Sequence, residues 1–413
     1  MLSFYATDRL KTLYPKVKAF LEEEIYPIET ELLKMPFNEA AKILRAKREK
    51  IKEMGAWNMY HSEAHGGAGL NLMEVAQIGE LLGTSPYGHF TFNCQAPDAG
   101  NIELLIKYAD QSMTEKYLLP LLNGDIRSCF SMTEPDHAGS NPVNMGTYAV
   151  REGDEYVING RKWFTSSADG AAFAIVMCIT NPEEPNPYKR ASMIIVPTDA
   201  PGFNLIRNVS VMGHEGEGWM SHAEIDYVNV RVPVTNRIGE EGGGFRMAQE
   251  RLGPGRIHHC MRWIGIAERA FDLMCKRAAS RELAEGKMLG EMQFIQGFIA
   301  DSRAEINASR LMVLHAANSM QELGHKAAAE DISTIKFYAA NMLQRVVDRA
   351  VQVHGALGMT DDTILAFYYR EERAARIYDG PDETHKASLA RKILKKYGLN
   401  VRMNKRNEAK ATA

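Results

Sequence analysis

The sequence Ile377-Tyr378-Asp379-Gly380 decides how the whole chain is interpreted, because it sets one carboxylate on a turn just after a charged helical stretch. Glycine after the acid lets the backbone bend sharply and approach a ligand closely. Taken alone, an acid followed by Gly and Pro is typical of a solvated surface turn. Two earlier segments give it meaning: Met132-Thr133-Glu134-Pro135 with Gly139-Ser140, and Asn159-Gly160-Arg161-Lys162 with Trp163-Phe164-Thr165.

The composition is that of an ordinary globular protein, with 413 residues, of which 45% are apolar and 24% charged. This length allows two or three domains and a substantial core. The formal net charge of −3 argues against a nucleic-acid surface as the main function. We therefore expect no nucleic-acid partner.

The longest apolar run, Ala171 to Ile179, is far shorter than the roughly 20 residues that cross a bilayer. The first residues match neither a signal peptide nor an Arg-rich transit peptide, so the sequence predicts a cytoplasmic protein without membrane association. The five cysteines form no CxxC pair, and no Cys/His cluster has zinc spacing. We expect reduced thiols and no metal site.

Hydrophobic spacing divides the chain into parts. Residues 1–125 show apolar residues at three- and four-residue intervals, which predicts an all-α domain. Residues 126–236 contain short β-rich runs between turn residues and predict a compact, barrel-like antiparallel β-domain. Within it, Asn159-Gly160 predicts the turn of a hairpin, because a type I′ turn needs positive φ at both central residues.

Residues 237–403 return to a helical pattern. Four long helices in series favour a helical bundle, and the fold class is α+β. The polar residues 404–413 are predicted to be a frayed tail. The long helices are expected at about 245–280, 291–323, 328–353 and 363–376.

The quoted segments, in their order and over nearly the whole chain, resemble the acyl-CoA dehydrogenase family. The resemblance implies that family's fold, with an N-terminal helical domain, a middle antiparallel β-domain and a C-terminal four-helix bundle. The family carries Tyr-Glu-Gly where this chain has Tyr378-Asp379-Gly380. Asp in this place, followed by Pro-Asp-Glu and His385, resembles the subgroup related to acyl-CoA dehydrogenase family members ten and eleven.

The resemblance implies that Asp379 is the catalytic base of an FAD-dependent α,β-dehydrogenation of an acyl-CoA thioester. In the family this residue takes the proton next to the thioester carbonyl, while a hydride from the next carbon goes to flavin N5. Because that proton is a very weak acid, we expect desolvation to raise the basicity of Asp379. Electron-transfer flavoprotein is the expected oxidant, and fatty acid β-oxidation within lipid metabolism is the expected role.

The same resemblance assigns residues to the cofactor. Met132 and Thr133 would bond the polar edge of the flavin, Trp163 would pack on the ring, and the Thr165 hydroxyl would bond near N5. The flavin-side residues are Phe130, Met132, Thr133, Gly139, Ser140, Trp163, Phe164 and Thr165. Further FAD contacts are Arg281, Gln293, Gln352, Val353, His354, Gly355, Pro381 and Glu383. In the family the adenine half often lies across a subunit interface, so a homodimer or homotetramer is expected.

Three residues are assigned to the acyl-CoA by the resemblance, namely Ser140, Arg256 and Gly380. Gly253 stands where the family usually has Asp, and the loop Asp136-His137-Ala138 is one residue longer than the common Gly-Ala. Asp98 lies on the helix that lines the acyl pocket in the family. It either meets a polar substituent of the acyl chain or belongs to a capped, kinked helix.

Other functions stay open at this point. An oxidase of the same fold would let O₂ reoxidise the flavin, with an acyl-CoA or a nitroalkane as substrate; nitroalkane oxidases also use an Asp base. A non-catalytic DNA-binding relative would need a strong basic stripe, and the Lys/Arg-rich runs at 42–52 and 391–405 are modest. A scaffold with a dead site is disfavoured by Asp379. No GxxxxGK[ST] loop or strand-linked GxGxxG is present, which disfavours nucleotide hydrolysis and NAD binding.

Overall fold

The N-terminal part of the fold is helical in the computed structural model, which describes residues 6–401. The predicted tail at 404–413 therefore lies outside the described residues. Asn71 starts the central helix with a capping box: its side chain accepts from the Glu74 N–H, and the Glu74 carboxylate bonds back to the Asn71 N–H. The helices are α1 (Asp8–Phe20), α2 (Glu29–Leu32), α3 (Phe37–Ala46), α4 (Arg48–Glu53), α5 (Leu72–Gly83), α6 (Gly88–Thr91), α7 (Asp98–Tyr108), α8 (Gln111–Met113) and α9 (Leu119–Asn123).

A mostly antiparallel sheet forms the middle part, which confirms the predicted β-domain. Its order is β6-β7-β3-β2-β4-β5-β8, and β1 joins β4 in parallel. Alternate residues of β4 and β5 enter two apolar clusters, one on each face of the sheet. The strands are β1 (Ser128–Ser131), β2 (Tyr148–Glu152), β3 (Glu155–Ser166), β4 (Phe173–Ile179), β5 (Ala191–Pro197), β6 (Phe203–Asn208), β7 (His222–Pro233) and β8 (Arg237–Ile238).

The predicted hairpin at Asn159-Gly160 is wrong. The chain turns earlier, at Gly153 with φ +64, and β3 then continues through Asn159-Gly160. Gly160 sits at an irregularity in the pairing of β3 with β7, where a Cβ would come within 2.5 Å of the Thr147 hydroxyl oxygen. A glycine inside a strand often marks a bulge or a close backbone approach. Here the pairing with β7 and the close approach of Thr147 keep Asn159-Gly160 inside the strand.

The C-terminal part is helical, and three of the four predicted long helices are confirmed. The prediction for 363–376 is wrong: the helix ends at Glu371, and a 3₁₀ turn follows over Glu372–Arg376. The Glu372 carbonyl instead accepts from the Gln344 side-chain amide at 2.8 Å. A last helix, absent from the prediction, packs on α12. The elements are α10 (Gly244–Ser280), a small hairpin of β9 (Glu282–Ala284) and β10 (Lys287–Met288), α11 (Gln293–Leu323), α12 (Ala329–His354), α13 (Ile364–Glu371) and α14 (Asp382–Lys396).

Glycines let α10 lie directly on α5. A Cβ on Gly265 would stand 2.0 Å from the Glu80 carbonyl oxygen, and one on Gly83 would stand 2.5 Å from the Arg262 carbonyl oxygen. Small residues at a crossing allow two helix backbones to approach closely. The crossing places the polar residues of α10 between the N-terminal helices and the C-terminal helices, where the candidate site lies.

Across residues 6–401, no helix combines the length and the apolar composition that a bilayer crossing needs. The five cysteines are unpaired, with Cys275 half-buried and the other four buried.

Candidate active site

The turn that carries Asp379 is held by hydrogen bonds to its backbone. We call residues 377–381 the Asp379 turn. The Asp379 carbonyl oxygen accepts from Arg256 Nε at 3.2 Å and contacts His385 Nε2 at 3.0 Å. The ammonium of Lys336, which is fully buried, donates to the carbonyl oxygens of Ala375 at 2.8 Å and Gly380 at 3.0 Å. Charged donors make these bonds stronger than neutral ones, so the turn is fixed without a ligand.

The backbone conformation of the turn explains its residue types. Asp379 has φ +54 and Gly380 has φ +100. The left-handed region tolerates Asp and Asn better than other residues with a side chain. A Cβ on Gly380 would stand 2.7 Å from His385 Nε2, so glycine is required at this position both by its torsion and by its neighbour.

Basic side chains surround the Asp379 carboxylate, whose side chain is 19% exposed. Burial raises its pKa, but His259, Arg256, Arg251 and Lys336 outweigh burial and hold the pKa below the usual range. The expectation that desolvation raises its basicity is therefore not met by the protein alone. The carboxylate is ionised at neutral pH and ready to accept a proton.

Arg251 connects this charge cluster to the flavin loop predicted from the sequence. Its guanidinium carbon lies 4.3 Å from the centre of the Phe130 ring, a cation–π contact. Its Nε donates to Asn101 Oδ1 at 3.2 Å, and a terminal nitrogen donates to the Pro97 carbonyl oxygen at 3.3 Å. Through Arg251, α10 joins the N-terminal helices and β1 near Asp379.

A buried ion pair fixes the loop after β1. Lys162, with a side chain 0% exposed, places Nζ 2.9 Å from Glu134 Oε1 and donates to the Met132 carbonyl oxygen at 2.9 Å. The Glu134 carboxylate also accepts from the N–H groups of Gly146 and Thr147. Burial alone would raise the pKa of Glu134, but Lys162 and the Gly146 N–H lower it to about 2. Both ends of the loop are thus tied to one carboxylate.

His137, which belongs to the one-residue extension of this loop, adds to the same carboxylate. Its Nδ1 lies 2.8 Å from Glu134 Oε2. The extension is therefore folded back on the loop, and Gly146 is required beneath it, since a Cβ there would come within 2.6 Å of the His137 ring.

The surface of the loop has groups that fit a flavin and its pyrophosphate. Gly139 and Ser140 are exposed, and within the described chain their N–H groups donate to no other residue. Free backbone N–H groups in a bend bind anions. Trp163 is half-buried, and Phe164 is 41% exposed with φ +47, so aromatic surface is accessible beside the loop. FAD contacts by these residues remain predictions that this surface supports.

Thr165 is placed differently from the expectation. Its side chain is fully buried, and its hydroxyl oxygen lies 3.1 Å from Ser131 Oγ, which also accepts from the Tyr227 hydroxyl at 2.9 Å. A bond from Thr165 to flavin N5 would require this hydroxyl to leave its buried partner.

The further residues assigned to FAD are mostly exposed, and of these Pro381 lies in the Asp379 turn and Glu383 just after it. Arg281, Gln293, Gln352 and Glu383 are exposed, whereas Val353 and His354 are buried, Pro381 is half-buried and Gly355 is exposed. His354 Nδ1 lies 2.8 Å from the Ala350 carbonyl oxygen, so within this chain it is a partnered helix-end residue.

Arg256 lies at the Asp379 turn, as its bond to the Asp379 carbonyl shows. Its predicted contact with CoA stays a prediction. Beside it, a Cβ on Gly253 would come within 2.3 Å of the His325 ring. His325 therefore occupies the space of the side chain that this position usually carries in the resemblance.

Asp98 has a structural environment. Its carboxylate accepts from the Ser128 N–H at 2.7 Å and from the Gln95 amide at 2.7 Å, and its residue is 0% exposed. Burial raises its pKa, although Ser128 opposes the shift. These contacts join α7 to β1, while α7 itself has no side-chain cap, so Asp98 does not form the capped surface helix, and its contact with a polar acyl substituent stays a prediction.

Sequence reasoning missed three residues of the charge cluster: His259, Arg251 and Lys336. A signal existed on α10, where Arg251, Arg256, His259 and Arg262 recur at helical spacing in an otherwise apolar stretch. Lys336 carries a similar signal, since it is one charge on a buried helix face of α12.

Comparisons with known proteins agree with the fold. Family models of acyl-CoA dehydrogenase match the N-terminal domain over residues 7–125, the middle domain over 129–228 and the C-terminal domain over 242–394. The chain therefore belongs to the acyl-CoA dehydrogenase family. The enzymes of that family are oxidoreductases, and their cofactor is FAD.

The subgroup resemblance is also confirmed. The chain is 42% identical over 397 residues to acyl-CoA dehydrogenase family member 10 of Mus musculus, covering 94% of this chain and 37% of that protein. It is 40% identical over 397 residues to family member 11 of Homo sapiens, covering 94% and 50%. It thus spans between a third and a half of these relatives. A solved structure ascribed to an acyl-CoA dehydrogenase of Mycobacterium abscessus superposes with a TM-score of 0.90 at 40% identity, covering 95% of this chain and 100% of that one.

Proposed function

We propose that the chain catalyses the α,β-dehydrogenation of an acyl-CoA thioester with Asp379 as the base. The observation that carries the proposal is a nearly buried carboxylate, 19% exposed, on a turn fixed through its backbone and surrounded by cations. A base must be ionised and held in place before it can take a proton from carbon. The lowered pKa of Asp379 and the hydrogen bonds to the backbone of its turn support this role.

The cations around Asp379 have a second task. When the Cα–H bond breaks, its proton goes to the Asp379 carboxylate and its electron pair stays on the substrate. The negative charge thereby moves from the carboxylate to the thioester, where Arg251, Arg256 and Lys336 stabilise it at low dielectric. Bound FAD supplies the acceptor for the hydride that the β-carbon loses.

Substrate binding would raise the basicity of Asp379. An acyl-CoA that covers the carboxylate removes the remaining water from it, and desolvation disfavours the ionised form. The pKa, which the cations hold low in the free protein, would then rise in the complex. The shift that the sequence led us to expect would thus come from the substrate.

FAD would be held by two groups of residues. Phe130, Met132, Thr133, Trp163, Phe164 and Thr165 would surround the flavin, with Gly139 and Ser140 at the pyrophosphate. Arg281, Gln293, Gln352, Val353, His354, Gly355, Pro381 and Glu383 would serve the remaining contacts. Ser140, Arg256 and Gly380 would contact the acyl-CoA.

A second copy of the chain would complete the cofactor site. Arg281 and Gln293 flank exposed apolar side chains, with Leu283 52%, Met288 37% and Phe294 86% exposed. Exposed apolar clusters with a polar rim are typical of interfaces. We therefore propose a homodimer or homotetramer, electron-transfer flavoprotein as the oxidant, a role in fatty acid β-oxidation and a cytoplasmic location.

Anaerobic bleaching of the flavin tests the function. Purified protein should be yellow and should bleach with butyryl-, octanoyl- or palmitoyl-CoA. Asp379→Asn should keep its FAD and its melting temperature but lose bleaching by at least about a thousandfold, since the base is gone. Glu103→Gln, which removes another carboxylate near Arg251, should bleach normally.

Three outcomes would contradict the proposal. Normal bleaching of Asp379→Asn would show that another group is the base. Rapid oxygen use with an acyl-CoA or a nitroalkane, without need of electron-transfer flavoprotein, would show an oxidase. Absence of FAD together with a DNA mobility shift would favour the non-catalytic relative.

A further inference from the structure

His259 is the side chain nearest to the reacting atoms that no part of the proposed reaction uses. It projects from α10 and places Nε2 3.3 Å from Asp379 Oδ2. Its ring stacks on Trp263, with centroids 6.1 Å apart and an interplanar angle of 22°, and meets the Tyr378 ring at 5.0 Å. Two aromatic rings thus fix the imidazole plane, and Nε2 lies beside the carboxylate.

The imidazole is neutral at this position. Burial lowers the pKa of His259 to about 4, although Asp379 acts in the opposite direction. A neutral ring has one N–H donor, and the proton is assigned to Nε2 because that nitrogen faces an acceptor. The charged and titratable groups around the ring are Arg251, His258 and Arg262 on α10, Lys336 on α12, His89 on α6, and Tyr378 and Asp379 on the turn.

We propose that His259 is a positioning residue for the base, which is an inference that rests on the proposed function of Asp379. Nε2 lies 3.3 Å from Oδ2 without hydrogen-bond alignment in the free protein, and a small rotation of the carboxyl group when substrate binds would let Nε2–H donate to Oδ2, leaving Oδ1 to receive the substrate proton. Asp is one methylene shorter than Glu, and a shorter side chain that is not held would present the oxygen less accurately. A misplacement of about 1 Å can reduce a rate on the order of a hundredfold.

No other side chain replaces this contact. Arg256 and His385 bind the carbonyl oxygen of Asp379, and Lys336 binds the carbonyls of Ala375 and Gly380. These bonds orient the backbone of the turn but not the carboxyl group. Within residues 6–401, His259 is the basic side chain whose nitrogen comes within 4 Å of a carboxylate oxygen of Asp379.

The test compares three variants by anaerobic flavin reduction, with whichever of butyryl-, octanoyl- and palmitoyl-CoA reduces the parent fastest. His259→Leu removes the donor and keeps a similar volume; we expect a reduction rate lower by about 10- to 100-fold. We also expect the acid limb of its pH profile to move up by about one unit, because losing a donor raises the pKa of the carboxyl. His259→Gln, which keeps an N–H donor, should restore most of the reduction rate and most of the parent's pH profile.

The matched control is His258→Leu, which removes the neighbouring half-buried imidazole. His258 contacts the Tyr60 ring at 4.7 Å and has no recorded contact with Asp379. The His258→Leu variant should show a similar loss of packing but keep the pH profile of the parent. An equal shift of the acid limb in His258→Leu would overturn the proposal.

A double-mutant cycle with Asp379→Glu separates positioning from packing. If His259 holds the short side chain, His259→Leu should lower the rate less in the Asp379→Glu background than in the parent. Equal losses in both backgrounds would mean that His259 only packs, and would overturn the inference.

The two proposals fail differently. If Asp379→Asn is inactive while His259→Leu matches the parent in rate and pH profile, only the role of His259 is wrong. If Asp379→Asn bleaches normally, or none of the three acyl-CoAs reduces the parent, the proposed function is wrong, and the role of His259 falls with it.

Discussion

The Asp379 turn and the region around Arg281 differ in where their contacts come from. The turn receives hydrogen bonds from α10, α12 and α14. The second region, which we call the Arg281 surface, comprises residues 281–294 and exposes Leu283, Gln293 and Phe294. The Asp379 turn is therefore held by contacts within the described chain, whereas the Arg281 surface leaves these three side chains exposed.

The difference teaches which parts of the site this chain can preform. Charges buried against fixed partners keep a carboxylate in one place at no cost when the substrate arrives. An exposed surface gains its geometry only when another molecule covers it. Substitutions of the buried groups that hold the Asp379 turn and the flavin loop should therefore change the stability of the FAD-free chain, whereas substitutions at the Arg281 surface should not.

The largest effect should come from acid, which acts on the histidines near the turn. Burial lowers the pKa of His258 to about 3 and those of His259 and His385 to about 4. Since the unfolded histidine titrates near 6.5, the unfolded state binds more protons between pH 6.5 and 4. The free energy of unfolding is then at its full value above pH 6.5. Below that pH it falls by up to about 1.4 kcal/mol per histidine and pH unit. Urea unfolding at pH 7, 6 and 5 measures the slope, and equal stability at all three would contradict this.

Lys162→Met should have the next largest effect. It leaves the Glu134 carboxylate buried beneath the flavin loop without its cation, and breaking a buried pair costs about 3–5 kcal/mol. Urea unfolding of the FAD-free protein at pH 7 measures it. Adding Glu134→Gln should recover part of the loss, and a single variant as stable as the parent would show that the pair does not fix the loop.

Lys336→Met should destabilise the FAD-free chain by about 2–4 kcal/mol, since it removes a charged donor from two carbonyls. Because those carbonyls belong to Ala375 and Gly380, amide hydrogen exchange should rise within the Asp379 turn more than elsewhere. Exchange that rises equally over the whole chain would indicate that Lys336 stabilises the fold and not the turn.

Arg281→Ser should have the smallest effect on stability and yet a large effect on FAD binding. An exposed substitution changes unfolding by less than about 0.5 kcal/mol, while loss of a phosphate contact should weaken FAD at least about tenfold. Lys276→Ser, also exposed and not assigned to FAD, is the control. A stability loss above about 1 kcal/mol in Arg281→Ser, or unchanged FAD affinity, would break the contrast between the two regions.

Much of the fold could be predicted because it depends on segments that are local in sequence. Helical periodicity located α10, α11 and α12 to within two residues of their observed ends. Where the outcome depended on distant partners, the prediction failed. Asn159-Gly160 has the composition of a turn, but pairing with β7 and contact with Thr147 keep it inside a strand.

The residues of the candidate site also fall into those that the sequence could predict and those that it could not. Asp379 could be identified because its neighbours in sequence resemble a family. His259, Arg251 and Lys336 could not, because they come from two other helices and their role depends on burial and distance, which a sequence does not state. The lowered pKa of Asp379 was unforeseen for the same reason, since it arises from those basic side chains together with Arg256.

The left-handed backbone of Asp379 has a consequence for any attempt to evolve this protein. With φ at +54, the position favours the few amino acids that accept this torsion, chiefly glycine, asparagine and aspartate. A saturation library at this codon would therefore be ranked in two different orders. Selection for yield would enrich glycine and asparagine, while selection for turnover would retain aspartate alone among the three.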